Sequence, residues 1–241
     1  MREKTNDDAI RAWSTAGHRA GEFGEEGDFA RQFLLNPAIF DLLGDVNGKW
    51  VLDAGCGQGY LSRLLARKGA RVTGVEPADG WYTYAHEREQ REQLGIRYIK
   101  EDLCLLTDVE GGFDVVVANM VLMDLADLVS ATRNCIAALK PGGLFVFSLL
   151  HPCFEDPGSE WAKKRFVEVH EYLSDYVREQ TFAPLFHRPL STYLNLVVDS
   201  GATIRRVIEP RLSPELAKLI ENDRDVHVPS FLVIAASKEG R

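Results

Sequence analysis

Three glycines at alternate positions, directly after a short apolar run, constrain this chain more than any other feature. The run Val51–Ala54 leads into Gly55, Gly57 and Gly59, and apolar residues with helical spacing continue from Tyr60. This pattern predicts a buried strand, a tight turn and the first turn of a helix. Glycine allows positive φ and close approach of a ligand, and the helix directs its unpaired N–H groups at that ligand. The stretch therefore predicts a cradle for a nucleotide that carries a carboxylate or a phosphate.

Strand and helix patterns alternate after this turn. The predicted strands are Trp50–Ala54, Arg71–Val75, Ile96–Lys100, Phe113–Ala118, Leu144–Leu149, Thr203–Glu209 and Ser230–Ser237. The predicted helices are Tyr60–Lys68, Gly80–Gln93, Leu125–Leu139 and Leu190–Ser200. Continuous runs of Val, Leu and Phe are typical of strands that are covered on both faces, so the pattern predicts an α/β fold with a parallel, doubly wound sheet.

Two segments fall outside this alternation. Near the N-terminus we expect an entry helix within residues 5–24 and a second helix, Phe29 to Leu43, that Asp28 caps. Because Pro37 falls inside this second helix, we expect a kink there or two shorter helices in its place. Residues 151–190 are too long for a plain loop and too apolar for a disordered linker, with aromatic side chains at Trp161, Tyr172, Tyr176 and Phe182. We predict a single domain with four parts. They are an N-terminal helical lid (residues 1–45), a cofactor-binding core (46–150), a cap insertion after strand 5 (151–190) and a C-terminal helix with strands (191–241).

Composition narrows the class of partner. The formal net charge is −8 and the isoelectric point is about 5.3, which argues against nucleic-acid binding. The four cysteines are far apart and form no Cys-x-x-Cys pair, so we predict neither a metal site nor a disulfide framework. We also find no apolar signal core and no run near the ~20 residues that span a bilayer. These features predict a cytoplasmic protein without a membrane partner.

Two acids follow the glycine turn at informative distances. Glu76 lies about twenty residues after the glycine turn, at the end of the second strand, where a carboxylate accepts hydrogen bonds from ribose hydroxyls. Asp102 lies just after the third strand, where it could receive an adenine amino group. The turn reads Gly-Cys-Gly-Gln-Gly and so departs from the Gly-x-Gly-x-x-Gly pattern of dinucleotide sites. An NAD-dependent oxidoreductase nevertheless stays an alternative to another nucleoside cofactor.

Together these stretches resemble the class I S-adenosylmethionine-dependent methyltransferase family. The matching pieces are Val51-Leu52-Asp53-Ala54-Gly55-Cys56-Gly57-Gln58-Gly59, Gly74-Val75-Glu76-Pro77, Glu101-Asp102-Leu103, Phe113-Asp114-Val115-Val116-Val117-Ala118-Asn119 and Leu139-Lys140-Pro141-Gly142-Gly143-Leu144. Residues 45–150 carry the resemblance, and residues 187–193 and 209–210 look like the small-molecule type-11 branch. It implies a Rossmann-like, seven-stranded, mostly parallel sheet with helices on both faces. Six strands would be parallel and the last antiparallel.

The resemblance also implies cofactor-binding roles near the turn. Gly55 and Gly57 would let the backbone approach the methionine half of S-adenosylmethionine. Asp53 would orient the turn, and Glu76 would hold the ribose diol.

Further positions follow in the same way. Trp81 would pack against the adenine or in the helix core, and Asp102 with the Leu103 backbone would recognise the adenine. Asn119 would lie beside the sulfonium centre. Arg31 could reach the cofactor carboxylate, although a surface position suits it as well.

The implied reaction transfers a methyl group from S-adenosylmethionine to an N, O or C atom of a small-molecule acceptor. Since this cofactor is already activated, the protein mainly supplies alignment, desolvation and in some cases a base. His151, directly after the fifth strand, is our candidate base, with His187 and His18 behind it. The alternatives are the NAD-dependent oxidoreductase and a non-catalytic module that binds the cofactor. The sequence does not predict an oligomeric state.

Overall fold

The computed structural model describes residues 4–107, 109, 111–154 and 161–240. The strands in chain order are β1 (Trp50–Ala54), β2 (Arg71–Val75), β3 (Arg97–Ile99), β4 (Phe113–Asn119), β5 (Leu139–Leu150), β6 (Tyr176–Arg178), β7 (Leu185–His187), β8 (Ala202–Ile208) and β9 (Phe231–Lys238). The α-helices are α1 (Asn6–Ala16), α2 (Asn36–Leu43), α3 (Tyr60–Arg67), α4 (Asp79–Glu92), α5 (Leu128–Ala138), α6 (Trp161–Lys164), α7 (Leu190–Asp199), α8 (Pro214–Ile220) and α9 (Arg224–His227).

The main sheet has seven strands within the described residues, in the order β3-β2-β1-β4-β5-β9-β8. Strands β1 to β5 are parallel, and β9 runs antiparallel to both of its neighbours, β5 and β8. The predicted α/β fold, with six parallel strands and the last one antiparallel, is confirmed. Since the polarity of the sheet changes only at β9, the carboxyl ends of β1 to β5 lie at one edge, where a ligand site is expected.

Helices cover both faces of this sheet because successive strand residues point to opposite sides. Leu52 and Val116 pack with α5 and α7, whereas Val51 and Val115 pack with α2 and α3. All four side chains are buried. The continuous apolar runs of the strands therefore contribute side chains to two hydrophobic cores, one on each face of the sheet.

The fourth predicted helix begins later than the pattern indicated. Residues Leu122–Asp124 form a 3₁₀ turn, and α5 starts only at Leu128, because the Asp127 side chain accepts a hydrogen bond from Ser130 N at 3.0 Å. At the other end Leu139 already pairs with Phe113, so β5 starts five residues before its predicted bound.

The N-terminal segment folds as helical pieces. α1 has a capping box between Thr5 and Asp8, and a 3₁₀ helix, Gly17–Phe23, follows it. Gly17 crosses Gly80 of α4 so closely that a Cβ on Gly17 would lie 2.5 Å from the Gly80 Cα. Of the predicted lid (residues 1–45), only Asn6–Phe23 are called the lid from here on, because they lie against the carboxyl ends of the strands.

The region around Pro37 forms two shorter helical pieces, a π-helical turn and then α2, which is the second of the two predicted alternatives. Asp28 accepts a hydrogen bond from Arg31 N at 2.9 Å, and Arg31–Leu35 is π-helical. Pro37 then stands in the first turn of α2, where its missing N–H removes no helical bond. The chain therefore continues from one helix into the next without a break.

Within residues 151–190, β6 and β7 form a two-stranded ribbon in which Tyr176 pairs with His187. Phe182, between these strands, stacks on Trp13 of the lid with ring centroids 5.7 Å apart. Residues 155–160 of the predicted cap lie outside the described residues. Among the residues that are described, no helix combines the length and the apolar character that crossing a membrane requires.

Candidate active site

The glycine turn joins β1 to α3 at the edge where the parallel strands end. Gly55, Gly57 and Gly59 have φ values of 71°, 55° and 80°, all in the left-handed region. A Cβ on Gly55 would lie 2.7 Å from both methyl carbons of Val121, and one on Gly59 would lie 2.3 Å from the Tyr98 hydroxyl oxygen. The turn therefore needs glycine both for its backbone conformation and for its contacts.

An open cavity lies over this turn. Its wall has contributions from the turn, from the ends of β2 and β4, from the segment after β3 and from the lid. The predicted site residues on this wall are Gly55, Gly57, Glu76, Trp81, Asp102, Leu103 and Asn119. Asn6, Ile10, Trp13 and Phe23 of the lid also line it. The fold thus brings together most of the residues that the sequence singled out.

Glu76 is the buried acid at the end of β2. Its carboxylate accepts hydrogen bonds from Gly57 N at 2.9 Å and from Ala78 N at 2.8 Å. Burial raises the pKa of Glu76 to about 7, although these two bonds act in the opposite direction. Each oxygen keeps a second lone pair, so the carboxylate can still accept bonds from a diol in the cavity.

Asp53 does not line the cavity. It accepts a hydrogen bond from Ser62 Oγ at 2.6 Å, which links β1 to α3 beneath the turn. Burial raises the pKa of Asp53 to about 6. The residue is therefore placed to support the turn rather than to touch a ligand.

Asp102 and Leu103 stand at the end of the cavity that lies after β3. Asp102 accepts from Cys104 N at 2.9 Å and from the Asn6 amide at 3.3 Å. The same Asn6 side chain accepts from Ala126 N at 2.7 Å. Asn6 thus ties the lid to the segments after β3 and β4, and nothing in the local sequence around it predicted this link.

Trp81 belongs both to the wall of the cavity and to the packing of the lid. Its indole Nε1 donates to Trp13 O at 2.8 Å, and its ring meets the Trp13 and Phe23 rings edge-on. Trp81 is 5% exposed. The two roles that the sequence left open for Trp81 are therefore compatible with each other.

Asn119, the last residue of β4, lines the cavity and carries a side-chain network. Its amide donates to the Tyr60 hydroxyl and accepts from Ser148 Oγ at 2.6 Å. Tyr60 in turn donates to Asn36 Oδ1 at 3.1 Å. These bonds hold the Asn119 side chain, which leaves its backbone for contact with a ligand.

Sequence reasoning missed Asp124, which lines the cavity together with Glu76 and Asp102. It ends the 3₁₀ turn after β4, and burial raises its pKa to about 8, while the nearby charge of Arg31 acts against this rise. Arg31 also lines the cavity and pairs with Asp28. A polar residue inside the apolar stretch 120–125 was the signal that could have identified Asp124.

His151 is not among the residues that line the cavity. Its backbone N donates to Ser230 O at 2.9 Å, which extends the pairing of β5 with β9, and its Nε2 lies 3.2 Å from Glu209 Oε1. Desolvation lowers the pKa of His151. The ring therefore lies on the β9 side of the sheet, away from β4, and this position does not support our choice of His151 as the base. His18 and His187 are likewise absent from the cavity wall.

The electrostatics of the cavity fit a cationic ligand. Glu76, Asp102 and Asp124 line it, and Arg31 is the cation on the described part of the wall. The raised pKa values of Glu76 and Asp124 mean that this space resists negative charge unless a cation enters it. S-Adenosylmethionine brings a sulfonium and an ammonium group, whereas NAD brings an anionic pyrophosphate. The residues present therefore fit the former.

The same two carboxyls predict how the stability of the ligand-free protein depends on pH. Since burial raises their folded pKa values above the unfolded ones, the folded state retains protons that the unfolded state has lost. Stability is therefore lost as pH rises through about 7 and 8. Between pH 7 and pH 9 we expect a loss of roughly 1–2 kcal/mol, or about 4 °C in Tm by calorimetry. A Tm that stays constant or rises over this interval would contradict the raised values.

Comparison with known proteins adds a sequence match over the core. Residues 52–147 match the family described as a methyltransferase domain. The ubiquinone biosynthesis O-methyltransferase of Coxiella burnetii is 37% identical over 125 residues, which are 51% of this chain and 53% of that protein. That of Bordetella avium is 35% identical over 132 residues, 52% and 54% of the two chains. The chain thus spans about half the length of the curated relatives it matches.

Solved structures match over a longer range. An S-adenosylmethionine-dependent methyltransferase from Mesorhizobium loti has a TM-score of 0.77 at 28% identity, over 89% of this chain and 100% of that one. The [4+2]-cyclase SpnF has a TM-score of 0.67 at 16% identity, over 100% and 98%. The likeness to SpnF shows the fold alone, and SpnF illustrates that this fold hosts more than one chemistry.

Proposed function

Because the chain belongs to the class I S-adenosylmethionine-dependent methyltransferases, in their type-11 branch, we propose that it transfers a methyl group to an oxygen, nitrogen or carbon atom of a small-molecule acceptor. Oxygen is our first choice, since the relatives named above are O-methyltransferases. The observation that carries the proposal is the acidic cavity over a glycine turn, which suits a cationic nucleoside.

We assign roles along the cavity as follows. Glu76 accepts hydrogen bonds from the ribose hydroxyls, while the Gly57 and Ala78 N–H groups hold its carboxylate in place. Asp102 and the Leu103 backbone bind the adenine, and Trp81 forms the apolar wall beside it.

The other half of the cavity holds the methionine part. The Gly55 and Gly57 backbone and the Asn119 backbone border it, and Arg31 is the cation for the cofactor carboxylate. When bound, S-adenosylmethionine supplies a methyl group that its sulfonium charge already activates. The protein's share is then to align the acceptor, to exclude water with the lid and to receive a proton.

A thermal-shift assay tests the cofactor directly. S-Adenosylhomocysteine at 100 times its Kd is expected to stabilise the protein by about 2.7 kcal/mol, which raises the Tm of a chain of this size by about 5–10 °C. NADH at the same concentration is expected to leave the Tm unchanged, because the cavity disfavours a pyrophosphate. A shift with NADH and none with S-adenosylhomocysteine would favour the oxidoreductase instead. Transfer of a radiolabelled methyl group to small molecules then separates an enzyme from a binding module.

A further inference from the structure

Asp124 is a cavity carboxyl that the roles above leave unused. No group of the described residues hydrogen-bonds to its carboxylate, although its backbone N donates to Val121 O at 2.8 Å. The charged side chains that act on it are Arg31 and Glu76. Arg31 already pairs with Asp28, so it does not neutralise Asp124 alone. Asp124 is half-buried on the cavity wall, and an acid there that has no hydrogen-bond partner among the described residues is expected to meet its partner in a ligand.

Side-chain bonds hold the chain directly after Asp124. Arg188 Nη2 donates to the carbonyl oxygens of Leu125 and Ala126, at 2.8 Å each. The Asn6 side chain accepts from Ala126 N and from Asp127 N, the latter at 3.0 Å. These contacts fix the backbone of the segment that follows Asp124 on the cavity wall.

The wall beside Asp124 is apolar. Ile10, Phe23, Met120 and Leu125 line the same cavity, and Met120 and Leu125 pack against the buried core. Such a wall suits an apolar acceptor, whereas a charged acceptor would lose its hydration without compensation.

We propose that Asp124 is the catalytic base of the methyl transfer, and that the acceptor is a hydroxyl or amine on an apolar molecule. The acceptor atom forms a bond to the methyl carbon, the carbon–sulfur bond breaks with its electron pair left on sulfur, and the acceptor's proton moves to an Asp124 oxygen. This inference rests on the proposed function. A pKa of about 8 for Asp124 lies close to the pH at which a base works best. The other titratable groups on the described wall are Arg31, Cys56, Tyr60, Glu76 and Asp102.

The cofactor and its product test the position of this carboxylate without an acceptor. A base that receives the acceptor's proton must lie near the sulfonium, so its ionisation favours S-adenosylmethionine over S-adenosylhomocysteine, whose sulfur carries no charge. In titration calorimetry we expect the ratio of the two affinities to rise about tenfold from pH 6.5 to pH 9. In Asp124→Asn we expect this rise to disappear, while Asp41→Asn, an exposed carboxyl of α2, should retain it. Ionisation of Glu76 acts on both ligands and largely cancels in the ratio.

The outcomes separate this inference from the proposed function. If Asp124→Asn keeps the full pH dependence of the ratio, Asp124 is not the base. If the parent protein binds neither ligand, the proposed function itself fails. With catechol as a probe acceptor, Asp124→Asn should lower kcat about 100-fold and leave the KM for catechol within about threefold. A kcat within threefold of the parent would equally overturn the assignment.

Discussion

Replacing Glu76 by glutamine is expected to weaken the binding of S-adenosylmethionine at least about tenfold at pH 8. The charged carboxylate accepts two backbone N–H groups, from Gly57 and Ala78, and keeps lone pairs for the ribose diol. A glutamine amide has only one oxygen, so its NH₂ group must face one of those N–H groups. The variant therefore loses charge on the ribose side and also disturbs the glycine turn. Titration calorimetry measures the change in affinity.

The pH dependence separates these two effects. Since the pKa of Glu76 is about 7, the parent carboxyl is largely neutral at pH 5.5, and the difference between parent and Glu76→Gln should shrink there. Glu87→Gln, an exposed position of α4, is the matched control and should bind as the parent does at both pH values. Unchanged affinity in a folded Glu76→Gln protein at pH 8 would remove Glu76 from the cofactor site.

Gly59→Ala is expected to destabilise the protein by about 3 kcal/mol, or about 10 °C in Tm. Gly59 precedes α3 with φ 80° and ψ 17°, a conformation that costs alanine about 1 kcal/mol. The added Cβ would also lie 2.3 Å from the Tyr98 hydroxyl oxygen and 2.9 Å from its ring carbon. Relief of this overlap must move either the turn or the buried Tyr98 ring that packs against it, so we expect the affinity for S-adenosylhomocysteine to fall as well. Calorimetric unfolding and ligand titration measure the two effects.

Two further variants divide this loss into its parts. Gly48→Ala also places alanine at a positive φ, 73°, but nothing lies within 4 Å of its new Cβ. It should therefore show the backbone cost alone. Tyr98→Phe removes the nearest clashing atom, so the double variant Gly59→Ala/Tyr98→Phe should recover part of the loss. A Gly59→Ala protein as stable as Gly48→Ala would show that the turn tolerates a side chain.

The sequence predicted element bounds most accurately where an apolar run is closed by clear turn residues. β1 and β2 match their predicted bounds residue for residue, because each is an apolar run that turn residues close. The start of α5 was misplaced by three residues, because the apolar stretch after β4 looks like a helix, whereas the cap at Asp127 decides where the helix begins. Spacing along the chain also placed Glu76 and Asp102 on one cavity wall, since Glu76 directly follows β2 and Asp102 comes shortly after β3.

Long-range contacts account for what the sequence could not show. Asn6 meets Asp102 across 96 residues of chain, and no local pattern encodes that pairing. His151 follows a strand end, as a base near the cavity would. However, its backbone still pairs with the residue before β9, and its ring lies next to Glu209, which follows β8, rather than on the cavity wall. In the sequence, Asp124 is only a polar residue inside an apolar stretch. Its place on the cavity wall depends on the fold.

The lid forms one wall of the cavity, and within the described residues it is attached to the rest of the protein by fewer backbone hydrogen bonds than the strands that form the opposite surface, the cavity floor. The floor belongs to the paired strands, whereas α1 is held by side-chain bonds from Asn6 and Trp81 and by the close crossing at Gly17. Segments held in this way open by local unfolding at a lower free energy than the whole domain. Under the proposed function we therefore expect the residence time of a bound nucleoside to follow how often α1 detaches, and we expect the product of the cofactor to leave without disturbance of the sheet.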